Sequence, residues 1–251
     1  MKITRTIRLS VLLLALAAIP RQLASKEPKE RPTRTKVVLL GTGTPVPDPD
    51  RSGPATAIVV DDSAYLVDFG PDVVPRAEAA VLSWGITAIE PGNLKVAFVT
   101  HLHSDHTAGY SDLIFTGWTA GRRTLLQVSG PAGLQSMTEH ILQAYRIDIE
   151  TRTNSEGNQR AIAEGSKVNA HEIKPGVIYK DANVTVTAFA TKHAMESYGY
   201  RFDTPDRRIV ISGDTILCRR PSRLVMAVLF SSTRRRCSSC MRRCPKVSTL
   251  L

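Results

Sequence analysis

The strongest constraint on this chain is a cluster of metal-ligating side chains directly after a short apolar segment. Residues 101–106 read His-Leu-His-Ser-Asp-His, so three of the six histidines of the chain fall within six residues. Residues 95–100 precede them and are apolar enough to form a buried strand. Imidazole and carboxylate groups suit zinc and related ions. The alternative, a polar loop that is rich in histidine by chance, is disfavoured by this position at a strand end.

The spacing within the cluster predicts two neighbouring metal positions. In an extended segment, His101 and His103 project to the same side, because side chains along a strand alternate with a period of two. A tight turn at Ser104 then directs Asp105 and His106 towards a second position. Two metal ions about 3.5–4 Å apart can hold both ends of a hydrolytic displacement.

The rest of the chain predicts a mixture of strands and helices, with residues 154–167 as loop. Helical spacing is predicted at 71–84, 107–118 and 131–145. Further strands are predicted at 36–40, 55–60, 64–69, 125–128, 177–180, 184–190, 198–203 and 208–212. A strand meander followed by strands that alternate with helices indicates a layered α/β protein with mixed sheets.

The histidine cluster resembles the motif shared by the metallo-β-lactamase superfamily, His-x-His-x-Asp-His at the end of a strand. Further segments resemble its ribonuclease Z and arylsulfatase branch, in the same order along the chain. They are Gly41-Thr-Gly-Thr-Pro45, Tyr65-Leu-Val-Asp-Phe-Gly70, His193 with Tyr198-Gly-Tyr-Arg-Phe202, and Ser212-Gly-Asp-Thr215. The resemblance covers about residues 37–215. It implies a metallo-β-lactamase αββα sandwich, which we expect to be incomplete at the C-terminus.

The resemblance also implies two zinc ions held by six side chains. One ion has three imidazole ligands, the other has an imidazole and a carboxylate, and a further carboxylate bridges the two. The three imidazoles belong to His101, His103 and His193. The second ion is held by His106 and Asp105, and Asp214 is the bridging carboxylate. Asp214 and His193 each follow an apolar strand, and Gly213 permits a sharp turn that aims the carboxylate.

Two aspartates are expected to act in the reaction itself. Asp105 is implied to orient the nucleophile, a metal-bound hydroxide that attacks phosphorus, sulfur or a carbonyl carbon. Asp68 is implied to accept a hydrogen bond from a ligand imidazole and thereby to fix its tautomer. His140 and His171 are left out of the site, because the helix around His140 favours an exposed or packed position, and His171, next to Glu172, is interpreted as a solvated strand residue.

The function that we expect from these features is zinc-dependent hydrolysis of phosphodiesters or sulfate esters. A lactonase or β-lactamase is the enzymatic alternative. We expect a small-molecule ester as substrate rather than nucleic acid, because family members that process transfer RNA generally carry an inserted arm. Often that arm precedes the bridging aspartate, and here only twenty residues separate His193 from Asp214. A homodimer is one option for the assembly, which the sequence does not decide.

The N-terminal region predicts export. Residues 1–8 are basic, residues 11–19 are apolar, and small residues follow at Ala24 and Ser25, which is the layout of a signal peptide over residues 1–25. Nine apolar residues fall well short of the ~20 that span a bilayer, so no stable membrane span is expected. A membrane anchor or a wrongly assigned start site is the alternative. Residues 26–35 are predicted as a linker and residues 36–217 as the domain, in a periplasmic or secreted protein.

The C-terminal segment, residues 218–251, differs in composition from the rest. Residues 215–251 carry eight Arg and one Lys with no acidic residue, so the other 214 residues have a net charge of only +1 out of +10. This segment also contains all four cysteines and no histidine, although the family pattern requires one more histidine there. Our hypothesis is an out-of-frame tail, which leaves one metal site short of a ligand. Cysteine-bound metal, or binding of a polyanion by a catalytically dead protein, is the alternative.

Overall fold

The computed structural model describes residues 34–154 and 162–215, together with the backbone of one strand at Met226–Val228. The predicted signal peptide, most of the linker and the remaining tail lie outside these residues. The strands are β1 (Thr35–Gly41), β2 (Ala55–Val60), β3 (Ser63–Val67), β4 (Val96–Phe98), β5 (Leu126–Gly130), β6 (Val168–Glu172), β7 (Gly176–Lys180), β8 (Thr185–Ala190), β9 (Tyr198–Asp203), β10 (Arg208–Ile211) and β11 (Met226–Val228). The α-helices are α1 (Val73–Trp84), α2 (Ser104–Thr107), α3 (Tyr110–Thr119), α4 (Leu134–Ala144) and α5 (Arg146–Asn154).

The strands form two mixed sheets, as the sequence predicts. The first has the order β1-β2-β3-β4-β5-β6, with antiparallel pairs up to β3 and parallel pairs from β3 to β6. The second has the order β11-β10-β9-β8-β7, antiparallel except for the parallel pair of β10 and β11. The parallel strands of the first sheet therefore end at one common edge.

Two apolar cores hold these layers together. On one face of the first sheet, side chains such as Ala57 and Val59 pack against α1, α3 and α4. On the other face, Ile58 and its neighbours pack against the second sheet. Strand β2 is buried along its whole length because both faces are covered. Helices, first sheet and second sheet thus supply three layers of the predicted αββα sandwich, and the fold class is confirmed.

The structure differs from the sequence-based assignment at three elements. Strand β6 is polar, and the sequence predicted only a solvated strand residue at His171 without the bounds of the strand, since its ladder with β5 rather than its own pattern defines it. Helix α5 was not predicted either, because it lacks an apolar face and contains no buried residue. The helix predicted at 107–118 begins only at Tyr110, and the segment predicted to turn at Ser104 forms the separate short helix α2. Gly109 lies between the two helices, where a Cβ atom would lie 2.3 Å from the carbonyl oxygen of Gly70. Within the described ranges, no helix is long and apolar enough to cross a membrane.

Candidate metal centre

Four strands deliver the predicted site residues to one place. Asp68 follows β3 and His101 follows β4, and these strands are parallel. In the second sheet, β8 and β10 both run antiparallel to β9, so His193 and Asp214 also leave their strands at a common edge. The two edges are joined by a hydrogen bond from the Tyr198 N–H to the Thr100 carbonyl (2.9 Å).

Three imidazoles converge in what we call the first ligand group, His101, His103 and His193. His103 Nδ1 lies 2.9 Å from His101 Nε2 and 3.1 Å from His193 Nε2. All three nitrogen atoms lie within 4.8 Å of one another. His101 is buried, and the other two rings are half-buried. The grouping is the one that the sequence assigns to a single metal ion.

A second ligand group comprises His101, His106 and Asp214, whose ligand atoms also lie within 4.8 Å of one another. His106 Nε2 is 3.8 Å from Asp214 Oδ1 and 3.7 Å from Asp105 Oδ2. Asp105 faces this group without belonging to any set of three ligands with that spacing among the described residues. His101 belongs to both groups, so the two candidate metal positions are adjacent.

Asp68 lies behind the imidazoles and accepts three hydrogen bonds. Its Oδ1 accepts from the Thr100 N–H (2.7 Å), and its Oδ2 accepts from the Thr100 hydroxyl (3.1 Å) and from His106 Nδ1 (2.9 Å). The backbone at Asp68 has a φ of 60°, in a left-handed region that non-glycine residues enter only when their surroundings hold them there. The carboxylate thus lies where the sequence expects a group that fixes a tautomer.

The electrostatics of the two buried histidines differ. Burial, and then the neighbouring imidazoles, lower the pKa of His101 to about 2, which keeps this ring neutral and able to coordinate a metal. Burial also acts to lower the pKa of His106, but the adjacent carboxylates, Asp68 foremost, outweigh it and the pKa is raised. His106 therefore lies in a strongly negative environment.

The environment of His106 fits a bound cation. In the neutral ring whose Nδ1 donates to Asp68, Nε2 carries a lone pair, and this buried atom has no hydrogen-bond partner within the described structure. Nε2 lies 3.7 Å from Asp105 Oδ2 and 3.8 Å from Asp214 Oδ1, so the arrangement requires positive charge, which either a proton on the ring or a bound metal ion supplies. Imidazole and carboxylate donors of this kind suit zinc.

A domain model described as "Beta-lactamase superfamily domain" matches residues 64–227, which include all seven predicted site residues. The chain belongs to this superfamily. Ribonuclease Z of Mycobacterium bovis (strain BCG / Pasteur 1173P2) is 33% identical over 188 residues, covering 73% of this chain and 64% of that protein. Ribonuclease Z of Mycobacterium sp. (strain KMS) is 36% identical over 187 residues, covering 73% and 62%. The chain thus spans slightly less than two thirds of these relatives, and the predicted family is confirmed.

Solved structures agree on the fold. A metallo-β-lactamase fold protein from Bacillus subtilis superposes with a TM-score of 0.53 at 17% identity, covering 72% of this chain and 62% of that one. The short form of human tRNase Z superposes with a TM-score of 0.54 at 22% identity, covering 71% and 68%. At these identities the comparison identifies the metallo-β-lactamase fold alone.

A cavity of about 390 Å³ borders residues 104 and 105 of this superfamily domain, but neither the ligand histidines nor Asp214 line it. Its walls include Ser104 and Asp105 on one side and a proline-rich loop, residues 44–51, on the other. Within that loop, Arg51 Nε lies 3.5 Å from Asp48 Oδ2, so the two side chains form an ion pair. The sequence indicated the start of this loop but did not predict a cavity, because only the fold brings it against residues 104 and 105.

Close backbone packing behind Asp105 leads to a first prediction. A Cβ atom at Gly70 would lie 2.4 Å from the carbonyl oxygen of Asp105 and 2.6 Å from the carbonyl carbon of Gly53. Gly70→Ala must therefore displace the backbone that carries the ligands. We expect unfolding free energy, measured by urea denaturation, to fall by about 1–3 kcal/mol and metal affinity to fall with it.

The matched control for Gly70 is Gly85→Ala. This glycine has a φ of 64° with open space around its Cβ position, so the substitution strains the backbone without touching the site. We expect lower stability with unchanged metal affinity. Equal metal affinities for both variants would show that the close packing at Gly70 does not support the site.

Proposed function

We propose that this chain is a zinc-dependent hydrolase of phosphodiester bonds. The observation that carries the proposal is the pair of ligand groups that share His101, with the unpartnered Nε2 of His106 between two carboxylates. The curated relatives named ribonuclease Z support a phosphodiester rather than a sulfate ester as the bond that is cleaved.

The two ligand groups would hold zinc ions, which would lower the pKa of a bound water molecule and polarise the phosphoryl group of the substrate. Asp68 holds His106 in the tautomer whose Nε2 faces the site. Asp105 Oδ2 lies 3.7 Å from His106 Nε2, so this carboxylate would accept a proton from an attacking water at the second ligand group. Asp214 brings a second carboxylate against His106.

A small ester fits the cavity of about 390 Å³ beside Asp105, and a small-molecule phosphodiester is the substrate that we propose. The relatives, however, are named as ribonucleases, so they do not favour our expectation of a small-molecule ester rather than nucleic acid. RNA therefore belongs in the substrate panel. A periplasmic or secreted location is a proposal that rests on the N-terminal sequence, and a homodimer is one option for the assembly.

Metal content and substrate range test the proposal together. We expect two zinc ions per chain by elemental analysis, and hydrolysis of bis(4-nitrophenyl) phosphate that is lost on dialysis against a chelator and restored by zinc. Ligand-linked stabilisation predicts that zinc at 100 times its dissociation constant raises the unfolding free energy by about 2.7 kcal/mol. The panel includes an aryl sulfate, a lactone, a β-lactam and a short RNA.

Each outcome distinguishes a specific alternative. Turnover of the lactone or β-lactam without turnover of the diester favours the enzymatic alternative. One zinc ion with weak turnover indicates the incomplete site that the tail composition predicts. Full diester turnover by metal-free protein contradicts the proposal, and so does an absence of bound zinc together with tight binding of a polyanion.

A further inference from the structure

Thr100 is a buried residue whose hydroxyl lies between Asp68 and a ligand imidazole. It follows strand β4, directly before His101, and its side chain has no exposed surface. Its hydroxyl oxygen lies 3.1 Å from Asp68 Oδ2 and 3.0 Å from His101 Nδ1. The hydroxyl therefore stands between the carboxylate and an imidazole that belongs to both ligand groups.

The number of available protons fixes the direction of both hydrogen bonds. Asp68 is the acceptor for two further donors, the Thr100 N–H and His106 Nδ1, so the Thr100 hydroxyl donates its single proton to the carboxylate. The hydroxyl oxygen can then only accept from His101 Nδ1. His101 consequently carries its proton on Nδ1 and presents a lone pair at Nε2, the atom that lies in the first ligand group.

We infer that Thr100 is a positioning residue that relays the carboxylate of Asp68 to His101. One carboxylate then fixes two imidazoles, His106 directly and His101 through the hydroxyl. Both rings present Nε2 towards the metal positions as a result. The inference depends on the metal binding in the proposed function but not on the substrate.

Two neighbouring contacts separate this role from simple packing. The Thr100 carbonyl accepts from Tyr198 N–H, a backbone bond that a side-chain substitution leaves in place. The Thr107 hydroxyl, two residues beyond Asp105, donates to the His103 carbonyl instead of to a ring nitrogen. Thr100 is thus the threonine near the cluster whose hydroxyl contacts a ligand imidazole.

The test compares Thr100→Val, which removes the hydroxyl and keeps the shape, with Thr100→Ser, which keeps the hydroxyl. Outer hydrogen-bond partners of metal ligands typically contribute 10–100-fold to metal affinity. We therefore expect zinc affinity, measured by competition with a chromophoric chelator, to fall about 10–100-fold in the valine variant and to be largely retained in the serine variant. Affinity within twofold of wild type for Thr100→Val overturns the inference, and so does equal weakening in both variants.

The matched control is Thr138→Val in helix α4. Thr138 is also buried, and its hydroxyl makes two hydrogen bonds, to Tyr110 and to the Leu134 carbonyl. Its loss should reduce stability about as much as Thr100→Val while leaving zinc affinity unchanged. If Thr138→Val weakens zinc binding to the same extent as Thr100→Val, general destabilisation explains both and the inference fails.

A measurement on the wild-type chain decides the question even if Thr100→Val does not fold. Long-range ¹H–¹⁵N correlation spectra of histidine-labelled protein distinguish the two imidazole tautomers. We expect the Nδ1–H tautomer for His101 in the metal-free and the zinc-loaded protein. The Nε2–H tautomer in the metal-free protein overturns the relay. Failure of the wild type to cleave any ester leaves this measurement unaffected, so it contradicts the proposed function alone.

Discussion

Replacing Asp105 by asparagine is expected to lower phosphodiester hydrolysis by about 10²–10⁴-fold, the range for removal of a positioned proton acceptor. Asparagine keeps the shape of the side chain but has neither the negative charge nor the basic oxygen. Asp105 is buried, faces His106 Nε2 at 3.7 Å and forms part of the cavity wall. Initial rates with bis(4-nitrophenyl) phosphate, together with zinc content, measure the effect.

Zinc content shows whether the lower rate arises from the missing carboxylate or from loss of bound metal. We expect the ion held by the first ligand group to remain in Asp105→Asn, because Asp105 belongs to no ligand set there. Asp112→Asn on helix α3 makes the same change in charge at a half-buried position and should leave the rate unchanged. A rate for Asp105→Asn within tenfold of wild type would remove Asp105 from the mechanism.

Arg122→Met is expected to lower the unfolding free energy by about 3–5 kcal/mol, because it removes four buried hydrogen bonds from a charged donor. The Arg122 side chain is fully buried and donates to four backbone carbonyls, those of Leu94, Leu113, Ile114 and Gly165, at 2.6–3.4 Å. Burial lowers its pKa to about 10, so the guanidinium remains charged at neutral pH. Methionine fills part of the volume but donates no hydrogen bond.

The neighbouring arginine provides the control for this variant. Arg123 is exposed, so Arg123→Met should change the unfolding free energy by no more than about 0.5 kcal/mol. Urea denaturation measures both variants. The unfolding free energy of a native protein is about 5–15 kcal/mol, so the loss expected for Arg122→Met is a large share of the total stability. If both variants lose equal stability, the buried hydrogen bonds of Arg122 contribute little.

Sequence patterns predicted the apolar elements well and the polar ones poorly. Strand β2 matches its predicted bounds because apolar side chains cover both of its faces. Strand β6 carries no comparable pattern, and its pairing with β5 places it in the sheet. Arg122 gave no signal at all, since an arginine in a polar stretch is usually solvated, and only the close approach of Gly117, whose Cβ position lies 2.4 Å from Nη1, creates its buried position.

By itself, the sequence determined which chemistry the chain can support. His101, His103, Asp105 and His106 lie within six residues of one another, so the local backbone alone brings them together, and the same segment predicted the superfamily. The tertiary structure decided how distant groups join them. Asp68, His193 and Asp214 reach the cluster because parallel strands end at a shared edge and because the two sheets pack face to face. The relay through Thr100 depends on the 3.1 Å between its hydroxyl and Asp68, which follows a neighbouring strand, and strand register fixes this distance while composition does not encode it.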